Sequence, residues 1–176
     1  GYLFLQDGQV EYDLGPSGDH ASDEYVTTTL TVASAISDTT LDVGSITGIA
    51  DDDAIGVELD SGAIEWTTVN GTPSGSTVTI TTGLSGAAAI GRRVFAYADL
   101  MRRPFEIVSA VLRTTSGQDS PLDPNLSVHE YEQIGTKTSE GTPWRLYFEP
   151  RRTNARVFLD CAPADGKKTE PDGTAS

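Results

Sequence analysis

Residues with the right chemistry for catalysis or ligand binding are few in this chain, and they are scattered. His20 follows Asp19 in a Gly/Pro/Ser-rich segment, residues 15–22. A ligand or proton switch is conceivable there, but a lone loop histidine reads as a solvated turn residue. Asp51, Asp52 and Asp53 invite a hard cation, which takes several carboxylate oxygens. Three consecutive residues of an extended chain, however, point in alternating directions, and EF-hand spacing is absent, so an acidic turn is expected. Glu58 and Glu65 could be paired as glycosidase carboxylates only arbitrarily. Cys161 is the sole cysteine, which excludes an internal disulfide and a Cys-rich metal site. Both histidines, His20 and His129, lie far from it in sequence, so it is expected to be a packed thiol rather than a nucleophile. The expectation is a protein that is not an enzyme, with no catalytic, cofactor-binding or metal-ligating residues.

The charge pattern says more than these candidates. Net charge is −14, and residues 1–91 carry 14 acidic side chains with no Lys or Arg, whereas residues 92–176 carry 12 of each sign. The whole deficit therefore belongs to the first half. Such a surface repels nucleic-acid phosphates over roughly a Debye length, about 8 Å at physiological salt, and makes a poor DNA grip. It could still line a channel through which DNA slides. No apolar run approaches the ~20 residues that a membrane-spanning helix needs.

Thr, Ser and Gly are abundant and long runs of helix formers are missing, which predicts a mainly β fold with at most one short helix. Residues 2–5 and 9–14, separated by Asp7-Gly8, read as a first hairpin. Residues 25–32, 39–43, 54–59, 64–69, 77–82 and 93–98 read as short strands at roughly ten-residue spacing, with Asp60-Ser61-Gly62 as a hairpin turn. That spacing suggests an acidic β-barrel or sandwich module over residues 25–98. Residues 105–112 are apolar on nearly both faces, which predicts a strand covered on both sides. Residues 116–127 read as a loop, and Ser127 with Glu130 as the capping box of a short helix in which His129 is exposed. Residues 144–148 and 156–162 alternate as an antiparallel pair. With residues 1–24 they form an expected base sheet (1–24 and 99–162), and 163–176 read as a flexible tail.

Three patterns in the second half are individual enough to compare. One is a strand with Arg102, Pro104, Ile107, Ala110 and Arg113; the next runs from Leu122 to Tyr131; the last is Gly141 and Pro143 leading into an aromatic strand, residues 144–148. With residues 47–69, these resemble the tail-hub and head-to-tail connector proteins of short-tailed bacteriophages, of the tail-tube or packaged-DNA-stabilisation type. The resemblance covers most of residues 1–162. The helical N-terminal portion of such proteins and a continuation after residue 162 are missing, so a trimmed domain is expected. The resemblance implies a virion protein assembled in the host cytoplasm, several copies of which form a ring below the portal. That ring would extend the DNA channel without sequence-specific contact and carry further tail proteins. Arg102, Arg103, Arg113, Arg151 and Arg152 are then the expected assembly contacts, pairing with acidic neighbours around the ring.

The alternative is an extracellular or virion-surface β module that recognises a carbohydrate or receptor, with Trp66, Tyr97 and Trp144 as an aromatic platform. Tryptophans on alternating strands are more often core residues.

Overall fold

The computed structural model describes residues 1–113 and 117–164; most of the expected flexible tail, residues 165–176, lies outside the described residues. The first strands are β1 (Tyr2–Leu3), β2 (Glu11–Leu14), β3 (Ala21–Ser22), β4 (Val26–Thr29) and β5 (Thr40–Asp42). They are followed by β6 (Ala54–Glu58), β7 (Ile64–Thr68), β8 (Thr77–Thr79) and β9 (Arg93–Tyr97). The second half adds β10 (Ala110–Arg113), β11 (Asp119–Leu122), α1 (Val128–Gln133), β12 (Glu140–Gly141), β13 (Leu146–Glu149), β14 (Ala155–Leu159) and β15 (Ala162–Pro163). The protein is mainly β with a single short helix among the described residues, as composition predicts. The described residues divide into two compact units: Gly1–Phe4 with His20–Arg102, and Leu5–Asp19 with those from Arg103 onward.

In the first unit a four-stranded antiparallel sheet runs β4-β9-β6-β7, and β5 pairs with β8. Two bridges, Leu30↔Val43 and Val69↔Ile80, join β4 to β5 and β7 to β8. Strand pairing therefore runs through six strands and returns to its start. The period of two explains what fills this circuit. Ile55, Val57, Val94 and Ala96 point to one face and bury against Leu30, Leu41, Val43, Val69, Val78 and Ile80. The opposite face carries Phe95 and Tyr97, packed with Phe4, Tyr25, Ile64 and Trp66. Gly56 lies opposite both Trp66 and Phe95 on this aromatic face. A Cβ there would stand 2.9 Å from Trp66 ring atoms, so only glycine leaves the indole its place. The β6–β7 turn forms at Asp60-Ser61-Gly62 as expected, with Gly62 at a φ of 96°.

In the second unit β13-β14-β2 form an antiparallel sheet, and β12 pairs in parallel with β15. Tyr12, Leu14, Leu146, Ala155, Val157 and Leu159 are buried on one face. On the other, Tyr147 and Phe158 stack with their centroids 5.4 Å apart, and Tyr131 of α1 packs on both. The helix starts where sequence places it: Ser127 and Glu130 form a complete capping box.

Three expectations are overturned. Asp7-Gly8 does turn the chain, with Gly8 at a φ of 73°, but its flanks do not pair with each other. β1 pairs with β3, and β2 joins β14. A two-stranded hairpin is marginal alone, and Tyr12 and Leu14 gain more by facing Val157 and Ala155 in a larger sheet. Residues 105–112 are not a covered strand. Only Ala110–Arg113 is extended into a ladder, and Phe105 and Val108 are 81% and 82% exposed. The partner strand, β11, comes from the supposed loop, and Pro121 sits within it facing Val111. A proline has no N–H to donate, so this strand tolerates it only where its nitrogen points away from β10.

Candidate assembly surface

Each arginine expected to make assembly contacts has a definite setting. Arg113 ends β10, and its guanidinium makes two 2.7 Å hydrogen bonds to Asp119, its cross-strand partner on β11. This fork-to-fork geometry closes the hairpin and holds the Asp119 carboxyl below its usual range. Arg103 places its guanidinium 4.8 Å from the Phe105 ring centroid. Arg102, the last residue of the first unit, is exposed. Arg151 and Arg152 lie in the turn between β13 and β14. They border an open depression of about 310 Å³ lined also by Asp13, Thr153, Asn154 and Arg156. Arg151 is held by Glu149 at 2.7 Å, and Arg156 bridges Glu11 and Asp13 on β2. Two of the three arginine charges in the depression thus have carboxylate partners, and both Arg151 and Arg152 are exposed.

Arg151 and Arg152 share the depression, while Arg103 and Arg113 bracket the segment that leads into and forms β10. Sequence reasoning missed what lies in that segment. Phe105, Val108 and Val111 are 81%, 82% and 60% exposed. Their period of three suits neither a two-faced buried strand nor a solvated loop. The usable signal was Pro104, which blocks ladder pairing just before the apolar run.

The other nominated residues have structural partners. Asp51 accepts from the Gly71 amide at 2.6 Å and Asp53 from the Ala50 amide at 2.7 Å, while Asp52 adopts a φ of 67°. Two of the three carboxylates therefore pin a turn. Glu58 and Glu65 cannot act on one substrate atom, because Glu58 faces Ile64 and Glu65 faces Val57, on opposite sides of the sheet. Glu58 is buried and receives Arg92 and Arg93 at 3.5 and 3.1 Å. Glu65 accepts from the Ser85 amide and hydroxyl. Asp60 accepts from the Ala89 amide and from Arg92, which together lower its pKa. Cys161 is half-buried, and burial followed by neighbouring Asp160 pushes its thiol pKa up, the direction opposite to that of a nucleophile. His129 is exposed and contacts Gln133 on its own helix.

His20 corrects the sequence reading. It is half-buried, not a solvated turn residue: its ring lies 4.1 Å from Trp66 and 9° from parallel, and its Nδ1 shares a 2.6 Å hydrogen bond with the Tyr97 hydroxyl. Nothing local in the sequence announces this, because Trp66 is 46 positions away and Tyr97 is 77. Of the proposed aromatic platform, Trp66 and Tyr97 meet at 5.5 Å inside this layer. Trp144 belongs to the second unit, is 57% exposed and carries the Arg145 guanidinium 4.1 Å from its ring centroid.

Compared with known proteins, the chain matches no family model, no curated protein and no solved structure. The functional reading therefore rests on the exposed, arginine-bracketed apolar segment of residues 102–113. No helix among the described residues is long and apolar enough to cross a membrane.

Proposed function

We propose that this chain is a structural virion protein, part of a phage tail hub or head-to-tail connector ring that extends the DNA channel below the portal. The observation that carries this reading is the exposure of Phe105, Val108 and Val111 between Arg103 and Arg113. Leaving three large apolar side chains in water forgoes about 1.5–3 kcal/mol each relative to full burial, so a protein surface that covers them is favoured. The acidic first unit, with eleven acidic side chains against three arginines, suits a wall past which DNA slides without sticking. The role is structural, without cofactor or catalysis, and the partners are further copies, the portal and other tail proteins.

The test is the solution mass of the protein alone and mixed with portal rings, by light scattering and electron microscopy. A ring, or a complex with the portal, is the expected result. A strict monomer that ignores portal rings would sink the proposal.

Exposed Trp144, backed by Arg145, favours a second reading as a virion-surface module that recognises a carbohydrate. Binding to a glycan array that is lost in Trp144→Ala would support it.

A further inference from the structure

A second exposed apolar patch lies on the first unit. Residues 30–37 run antiparallel to residues 84–92, held by mutual Ser34 and Ala88 backbone hydrogen bonds of 2.9 Å and by the Gly91 amide on the Leu30 carbonyl at 2.8 Å. Val32 and Ile36 lie two residues before and after Ser34, and Ile90 lies two residues after Ala88, in the turn closed by the Arg92 amide on the Ala89 carbonyl at 3.2 Å. The three are 52%, 64% and 68% exposed. Burial elsewhere in this unit is thorough, down to zero exposure for Leu41, Ile55, Val57, Val78 and Val94. The patch therefore does not reflect a generally loose fold.

We infer that the Phe105–Val108–Val111 segment of one copy seats on the Val32–Ile36–Ile90 patch of a second copy, a contact that rests on the ring reading above and supplies its joint. Charge selects this pairing over the symmetric ones. Residues 102–113 carry three arginines, of which Arg113 is paired with Asp119, and one glutamate, whereas the rest of the unit bearing the patch has eleven acidic side chains and two arginines. Segment against segment would bring Arg102 and Arg103 of two copies together. Patch against patch would face two acidic units, and like-charge juxtaposition opposes both. Segment against patch joins a cationic partner to an acidic one and covers three apolar side chains on each. Because the two surfaces differ, a single contact leaves one segment and one patch unfilled, and these are filled either reciprocally in a two-fold pair or in series around a ring.

Cross-linking between separately prepared copies tests the contact. Val108→Cys and Ile90→Cys are each made with Cys161→Ser, given distinguishable masses, mixed and oxidised. The expected result is the mixed disulfide dimer, absent when Thr153→Cys replaces Val108→Cys. In parallel, Val108→Asp and Ile90→Asp, both surface changes whose folding is verified by circular dichroism, should each weaken assembly roughly thirtyfold or more. Raising salt should weaken assembly of the unmodified protein. Rings that persist unchanged in both Asp variants, with no mixed disulfide, overturn this joint while leaving the ring reading intact. A protein that stays monomeric at every concentration overturns both.

Discussion

His20 lies flat against Trp66, 4.1 Å from ring to ring, while its Nδ1 holds the Tyr97 hydroxyl at 2.6 Å. The imidazole thus closes the aromatic layer over the β4-β9-β6-β7 sheet with both its face and its edge. His20→Ala removes a stacked pair, worth about 0.5–1.5 kcal/mol, and strips the Tyr97 hydroxyl of this partner. A loss of about 2–3 kcal/mol is expected, read as a lower urea midpoint at unchanged slope. His20→Phe, which keeps the stack, should recover part of it. An unchanged midpoint in His20→Ala would show the layer stands without the imidazole.

Gly56→Ala tests the same layer from beneath. The new methyl would meet Ile64 and Trp66 atoms at 2.9 Å, in the centre of a sheet where the backbone has little room to yield. Overpacking of this kind costs about 1–3 kcal/mol. A shift in Trp66 emission should accompany the lower midpoint.

The tyrosines predict an alkaline limit. Burial pushes Tyr12 and Tyr97 up to about 12 from an ordinary value of 10.0. The folded state keeps protons that the unfolded state releases, so their contribution is intact below pH 10 and is lost as pH rises from about 10 to 12. A tyrosinate absorbance titration should show Tyr12 and Tyr97 ionising last. Tyr97→Phe and Tyr12→Phe should each flatten the decline of stability over that window.

At the acid end the capping box should be visible. Ser127, through its side chain and its amide, holds the exposed Glu130 carboxyl below its usual range. That stabilisation is present above the ordinary carboxylate pKa and fades as pH falls through the lowered folded value. Ser127→Ala should cost about 0.5–2 kcal/mol at neutral pH, typical of a lost N-cap, and less in acid. Chemical denaturation at two pH values measures the difference. Equal losses at both would separate the cap from Glu130 ionisation.

What could be read from the sequence was local. Asp60-Ser61-Gly62 announces its hairpin because the turn and both strands lie within fifteen residues, and Ser127 with Glu130 announces the helix for the same reason. The alternation of Leu146 and Phe148, and of Val157 and Leu159, marks a paired sheet. Two-residue strands such as β1 and β3 carry no period, so their pairing is invisible, and Asp7-Gly8 offered a nearer, wrong partner. The segment at residues 105–111 failed for another reason. Apolar side chains on both faces state that cover is needed, but not whether the same chain supplies it. The setting of His20 depends on two residues from distant strands, and no spacing encodes it.

One consequence of the β4–β9 ladder concerns how the chain is routed. Val26 and Ala96 face each other at its end, so the polypeptide enters and leaves the six-strand circuit at a single point. Cutting out everything between them would leave ends only about 5 Å apart, a gap that a short turn spans. The circuit is in this sense a cassette: it can be lengthened, exchanged or dropped without re-threading the chain on either side.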